Sequence, residues 1–393
     1  MPRGLAERMG RLSPSATMEV RRRAEELRRQ GASVIDLGPG EPDFDTPRPV
    51  REEGIRAIEV GFTGYTQASG IPELREAIAA RYQEDYGAAY TREEVLVCAG
   101  AKHALFTLAL ALFAEGDEVL IPTPYWVTYP EVVKLCGAEP ITVPTYPEDG
   151  FHLQGEALEE RISPRTKALI VNSPCNPTGA LLSPDELEGI VALAEKHDFY
   201  VIFDEAYELI VYERGPFSAA PLRCDHVLIV GSLSKSHAMP GWRIGWILGP
   251  REVIRAATAV QSQSITHPCS ISQRAALAAL TRARDATAPM VAEYRVRRDL
   301  VVEHLGRIPG VRCPTPEGAF YALPDVSAFL GGDSVALAHY LLEEVHVAVV
   351  PGRAFGRDGH LRLSFSRSRE ELAAGLARLK EALEGLARKG NDA

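Results

Sequence analysis

Short, nearly continuous apolar runs recur along the chain at Val95-Leu96-Val97-Cys98, Val119-Leu120-Ile121, Ala168-Leu169-Ile170-Val171, Val201-Ile202-Phe203 and Val227-Leu228-Ile229-Val230. Runs of this length bounded by turn residues suit strands covered on both faces. Helical patterns separate them. One spans 101–114 and stops before Gly116, and another spans 183–197, opening Ser183-Pro184-Asp185-Glu186 with an N-cap serine, a proline at the first position and acids in the first turn. Strand and helix in alternation predict a mainly parallel, doubly wound sheet. From about residue 284 the texture changes to a long Arg-rich helix, a strand at 318–323, a helix near 334–344, short strands at 347–350 and 360–365, and a terminal helix. This pattern predicts a second, smaller α/β lobe. The first 40 residues hold one amphipathic helix, 17–30, and the turn-rich Gly38-Pro39-Gly40-Glu41-Pro42-Asp43.

Composition narrows the possibilities. The chain has 393 residues, which suits two lobes. A net charge of −10 argues against a general nucleic-acid binder, whose affinity depends on clustered basic residues. Neither terminus carries the ~18 apolar residues needed to span a membrane, so a cytoplasmic protein is expected. The six cysteines are widely spaced and the ten histidines show no HExxH pattern, so neither a disulfide framework nor a metal site is expected.

Five local motifs carry candidate chemistry. Lysine is scarce, with seven in the chain, and Lys235 follows a predicted buried strand, at the edge where open α/β sheets place ligands. A desolvated amine there can form a Schiff base, although a surface loop lysine would look the same. Asp204 ends another strand, where burial is costly without a cationic partner such as a protonated pyridine nitrogen or a metal ion. Asn176-Pro177-Thr178-Gly179 makes a tight turn that presents an amide. Gly100-Ala101-Lys102 joins a strand to a helix start able to hold a phosphate. Arg243, in Gly241-Trp242-Arg243-Ile244-Gly245, could neutralise that phosphate or be an ordinary structural arginine.

Taken together, the order Asn176, Asp204, Lys235, Arg243 and then Leu361-Arg362-Leu363-Ser364 resembles the class I aminotransferases of pyridoxal-phosphate fold type I. Pro14-Ser15-Ala16-Thr17, Gly40-Glu41-Pro42-Asp43, Gly70-Ile71-Pro72-Glu73, Tyr125-Trp126 and Val349-Val350-Pro351-Gly352 extend the resemblance over nearly the whole chain. It implies an α/β fold with a large domain, 41–283, around a seven-stranded sheet. A small domain, 284–393, would pack with the N-terminal arm, 1–40. It further implies that Lys235 binds pyridoxal 5'-phosphate as a Schiff base, that Asp204 pairs with the ring nitrogen, and that Asn176 and Tyr207 hold the phenolic oxygen. Trp126 would lie against the ring. The phosphate would be held around Gly100, Ala101 and Lys102, by Ser232 and Arg243, and by Tyr65 from the second subunit of a homodimer. Arg362 would bind the substrate α-carboxylate, with the Gly40 backbone opposite.

For the side chain of the substrate, the resemblance to the aspartate (aspartate/prephenate) branch implies Lys102 and Thr17 near a distal carboxylate, and hence aspartate or glutamate as donor. Lys102 also opposes the macrodipole at a helix start, a local inconsistency that suggests a functional use. Two departures from that branch stand out: Ala101 replaces a glycine, and Ser264-Ile265-Thr266-His267-Pro268-Cys269 brings His267, read first as a satisfied structural histidine, near the expected side-chain contacts. These leave arginine, aromatic or alanine donors open, as well as a lyase on the same fold. A nicotinamide dehydrogenase is disfavoured, since no GxGxxG follows Gly38-Pro39-Gly40.

Overall fold

The computed structural model describes residues 4–13, 16–216 and 218–391, without the side chains of 16, 17 and 389–391. An N-terminal arm carries helix α1 (Ala16–Arg29) and strand β1 (Ile35–Asp36), and α2 (Arg48–Glu59) and α3 (Pro72–Tyr86) follow it. Strands and helices then alternate: β2 (Val95–Cys98), α4 (Ala101–Leu112), β3 (Glu118–Thr123), α5 (Thr128–Leu135), β4 (Glu139–Pro144), α6 (Gly155–Glu159), β5 (Thr166–Asn172), α7 (Pro184–His197) and β6 (Tyr200–Asp204). Next come β7 (Val227–Ser232) and β8 (Gly245–Leu248), completing a seven-stranded sheet in the order β2-β8-β7-β6-β5-β3-β4. β8 runs antiparallel to both neighbours and every other pairing is parallel.

The five apolar runs became β2, β3, β5, β6 and β7. β4 and β8 carry weaker signals: Glu139-Pro140-Ile141-Thr142-Val143-Pro144 is an edge strand with two prolines, which an edge tolerates. β8 is short and opens on glycine. Burial on both faces explains the unbroken apolar runs. On β5 and β6, Leu169, Val171, Val201 and Phe203 pack into the core on one side, and Ala168, Ile170 and Ile202 into the core on the other.

The remaining chain forms α8 (Arg251–Ser264), α9 (Ser270–Arg282), α10 (Thr287–Gly306), β9 (Tyr321–Ala322), α11 (Ser334–Val345), β10 (Val347–Ala348), β11 (Val350–Pro351), β12 (Leu361–Ser364) and α12 (Arg369–Asn391). β11, β12 and β9 make an antiparallel sheet, while β1 pairs in parallel with β10. A third core gathers Leu37, Tyr294, Phe320, Leu341, Leu363 and Leu376, so the arm and the C-terminal elements share buried surface. Among the described residues, no helix is long and apolar enough to cross a membrane.

α7 starts as its sequence signals. The Ser183 hydroxyl accepts from Glu186 N at 3.2 Å, and the Glu186 carboxylate accepts from Ser183 N at 2.7 Å, a reciprocal capping box. Ser183→Ala is expected to lower stability by about 1 kcal/mol, read as a lower urea midpoint with an unchanged m-value.

Candidate active site

Parallel strands deliver their C-terminal ends to one edge of the sheet, and the candidate residues collect there. Asp204 ends β6, Lys235 lies just past β7, Asn176 just past β5 and Trp126 just past β3. They line a cavity of about 330 Å3 together with Gly40, Ala101, Lys102, Tyr207, Ser232, Arg243 and Arg362. Gly100 stands directly behind it as the N-cap of α4. One cofactor-binding candidate is not brought in. Tyr65 lies outside the cavity and is 90% exposed. The Thr17 side chain falls outside the described residues, although its neighbour Met18 reaches the cavity wall. His267, expected near side-chain contacts, does not line the cavity; its ring meets that of Tyr65 instead.

Asp204 is buried, and its two oxygens are held from two directions. Tyr129 Oη donates to Oδ2 at 2.8 Å, and Ala206 N donates to Oδ1 at 3.1 Å. Burial pushes its pKa up to about 6, against the pull of those two donors and of the Lys235 charge. Enclosure likewise pushes the Lys235 amine down to about 8, opposed by Glu41 and assisted by Arg362 and Arg243. Lys235 Nζ donates to the Gly40 carbonyl. An amine so shifted has a neutral fraction near neutrality far larger than that of an ordinary lysine, which favours a nucleophile or a proton acceptor.

Opposite them lies Arg362, on β12. It is buried, donates to the Asn176 side-chain oxygen at 3.2 Å and to the Gly38 carbonyl, and stacks between Tyr321 and Phe355 at 4.7 and 4.9 Å. Its Nε finds no acceptor among the described residues. A buried guanidinium without a carboxylate partner is costly unless an anion completes its fork. Tyr321 Oη in turn meets Tyr207 Oη at 2.8 Å.

At the other end, β8 presses against the start of α4. A Cβ on Gly245 would come within 2.7 Å of Ala101 N, a backbone atom, so glycine is required there, and one on Gly100 would come within 2.5 Å of Arg243 Nη2 and displace that guanidinium. Gly100 also has φ of +86°, a left-handed conformation that suits glycine. The first N–H groups of α4, the Arg243 guanidinium and the Ser232 hydroxyl thus share one corner, a ready anion cradle. Lys102 stands beside it with Nζ 4.9 Å from the centre of the Trp126 indole. Partial enclosure and the Arg243 charge both lower the Lys102 pKa.

A family model, aminotransferase class I and II, matches residues 32–379. An aspartate/prephenate aminotransferase of Thermus thermophilus is 47% identical over 97% of this chain and 99% of its own length. An aspartate aminotransferase of Geobacillus stearothermophilus is 41% identical over 98% of this chain and all of its own. The chain belongs to the class I and II aminotransferases. The structure of the Thermus thermophilus aspartate aminotransferase with maleate superposes with a TM-score of 0.93 at 46% identity, covering 97% of this chain and 100% of that one. The fold is therefore that of the fold type I aminotransferases, and the enzyme is a transaminase that uses pyridoxal 5'-phosphate. It moves an amino group between an amino acid and a 2-oxo acid, which removes the dehydrogenase alternative.

The residues present suit that cofactor of the aminotransferases. An anion cradle, a buried carboxylate, an enclosed amine and an incompletely bonded arginine are spread around one cavity, as a phosphate, a pyridine nitrogen, an aldehyde and an α-carboxylate require. Sequence reasoning missed Tyr129, Asn172, Ser234 and Tyr321, which also line the cavity. Tyr129 had a usable signal: it stands three residues after Trp126 in the turn that opens α5, where Tyr129 N donates to the Trp126 carbonyl at 3.0 Å. Their rings meet edge to face at 5.5 Å.

The raised Asp204 pKa carries a sign. A carboxyl whose folded pKa, about 6, exceeds its ordinary 3.8 destabilises the fold when ionised, so its penalty is absent at low pH and complete above about pH 6. Cofactor-free Asp204→Asn is expected to be more stable than the parent at pH 8 by on the order of 2–3 kcal/mol, with the gap closing as pH falls toward 4. Chemical denaturation at several pH values checks this; a gap independent of pH would mean that Asp204 is not desolvated.

Proposed function

We propose that this transaminase takes aspartate or glutamate as its amino donor, with the residues around the cavity in the following roles. Asp204 pairs with the pyridine nitrogen and keeps its proton in place, because a carboxylate in a low-dielectric site holds a cation strongly. Asn176 and Tyr207 hold the phenolic oxygen, and Trp126 covers a ring face. The N–H groups after Gly100, at Ala101 and Lys102, bind the phosphate together with Ser232 and Arg243. Arg362 takes the α-carboxylate with its planar fork, which lysine could not reproduce, and the Gly40 backbone closes the other side. When bound, pyridoxal phosphate supplies an electron sink that acidifies the substrate Cα–H. Lys235 would anchor the cofactor aldehyde, and its Nζ, when free, would be the base that moves the Cα proton.

The position of Lys102 carries the substrate assignment. Its ammonium stands over Trp126 on the wall of the cavity that also holds the Arg362 fork, so a substrate with two carboxylates has a cation for each. Thr17 is proposed beside it. The names of the relatives support the assignment, as does maleate, a dicarboxylate, in the Thermus thermophilus structure.

A homodimer and a cytoplasmic location complete the proposal, as does the division into an arm, 1–40, a large domain, 41–283, and a small domain, 284–393. The exposed apolar side chains Ile55, Ile58 and Val60 on and after α2 lie in sequence just ahead of the exposed Tyr65, and they support a second copy covering this face. Tyr65 would then reach the partner's phosphate cradle.

Lys102→Ala is expected to lower kcat/KM for aspartate and glutamate by roughly thirtyfold or more, since a carboxylate drawn from water without its cation costs about 2 kcal/mol or more. Phenylalanine and alanine should change little. Steady-state assays with each donor, following 2-oxo acid release, read the difference. An equal loss on all donors would remove the dicarboxylate assignment and leave the transaminase in place.

A further inference from the structure

Tyr65 presents a puzzle of order. Its ring is 90% exposed, yet the loop that carries it is pinned at several points. Ile71 N donates to Gln273 Oε1 at 2.7 Å, and Gln273 Nε2 donates to Thr66 Oγ1 at 3.1 Å and to the Pro268 carbonyl at 2.8 Å. Gln261 Nε2 donates to the Ala68 carbonyl at 2.6 Å, and Ser270 Oγ to the Phe62 carbonyl at 3.0 Å. Gln261 and Gln273 are both fully buried. A surface loop with no task beyond connection does not need two buried amides to fix its path.

The segment opposite is held under strain. Thr266 has φ of +65°, a left-handed conformation unfavourable for a β-branched residue, and His267 N donates to the Ile265 carbonyl at 2.8 Å across it, closing a three-residue turn. This turn sets His267 so that its Nδ1 donates to the Pro268 carbonyl at 2.6 Å. The imidazole then meets the Tyr65 ring edge to face, with 5.6 Å between centroids and 89° between planes. Local strain of this kind persists where the surroundings fix it, and it gathers at working sites.

We propose that His267 is a positioning residue that holds Tyr65 in the orientation in which its hydroxyl completes the phosphate cradle of a second copy of this chain. The proposal rests on the shared-site dimer proposed above. The strained Thr266 turn aims the imidazole, Gln273 ties the two loops into one unit through Thr66 and Pro268, and the ring contact removes the swing of an otherwise free phenol. Its effect is on cofactor retention by the dimer rather than on chemistry.

The test is equilibrium dialysis of the holoenzyme against graded pyridoxal phosphate, with light scattering on the same samples, for Tyr65→Phe, His267→Ala, His267→Phe and the double variant Tyr65→Phe/His267→Ala. Tyr65→Phe should weaken cofactor binding. His267→Ala should weaken it about threefold to tenfold, the size of an aromatic pair, without dissociating the dimer. His267→Phe, which retains an edge-to-face partner, should stay within about twofold of the parent. Once the hydroxyl is gone the ring's aim is immaterial, so the double variant should match Tyr65→Phe alone. Unchanged binding in His267→Ala, additive losses in the double variant, or a monomeric His267→Ala would each overturn the inference while leaving the shared site standing. Unchanged binding in Tyr65→Phe would overturn the shared site itself.

Discussion

Two charged groups taken out of water, the Asp204 carboxylate and the Arg362 guanidinium, set the terms for the rest of this molecule. Each is buried with too few protein partners to offset its desolvation: Asp204 has two hydrogen-bond donors, and Arg362 has a carbonyl and an amide oxygen but no carboxylate among the described residues. An isolated arrangement of this kind is unfavourable. In the proposed roles a cationic ring nitrogen would meet the first and a carboxylate the second, and the desolvation that is unfavourable for each group alone would then strengthen the binding of cofactor and substrate.

The scaffold keeps both groups where they are. Parallel strands bring Asp204, Asn176 and Lys235 to one edge without any of them being adjacent in sequence, and β12, from the C-terminal part, brings Arg362 across to Asn176. Glycines at 100 and 245 let β8 and the start of α4 approach closely enough to bring Arg243 beside the helix N–H groups. Tyr129 ties two cavity walls together, with its hydroxyl on Asp204 and its ring against Trp126. A change at Tyr129 would therefore act on both the proposed ring-nitrogen partner and the proposed ring cover.

Much of this was legible in the sequence, for physical reasons that also mark its limits. Strands covered on both faces must be apolar throughout, so β2, β3, β5, β6 and β7 announced themselves, and the capping box of α7 was readable from Ser183 to Glu186. The edge strand β4 and the short antiparallel β8 lack that signature. Among the residues that line the cavity, those in recognisable turns at strand ends, such as Asn176, Asp204 and Lys235, were legible from order and spacing. Tyr321 and Tyr129 were missed because an aromatic in a buried strand or on a helix looks like core until its hydroxyl partner is known. His267 was noticed as a departure, yet its contact with Tyr65 depends on the left-handed turn at Thr266, and a threonine gives no sign of that conformation in sequence.

The amine of Lys235 is proposed to be where this enzyme holds its cofactor. Borohydride reduction of the holoenzyme, followed by proteolysis and mass spectrometry of the peptides, tests it directly. A phosphopyridoxyl mass on the peptide containing Ser234-Lys235-Ser236, assigned to Lys235, is the expected result. The same mass on Lys102 or another lysine, or on none, would contradict the account.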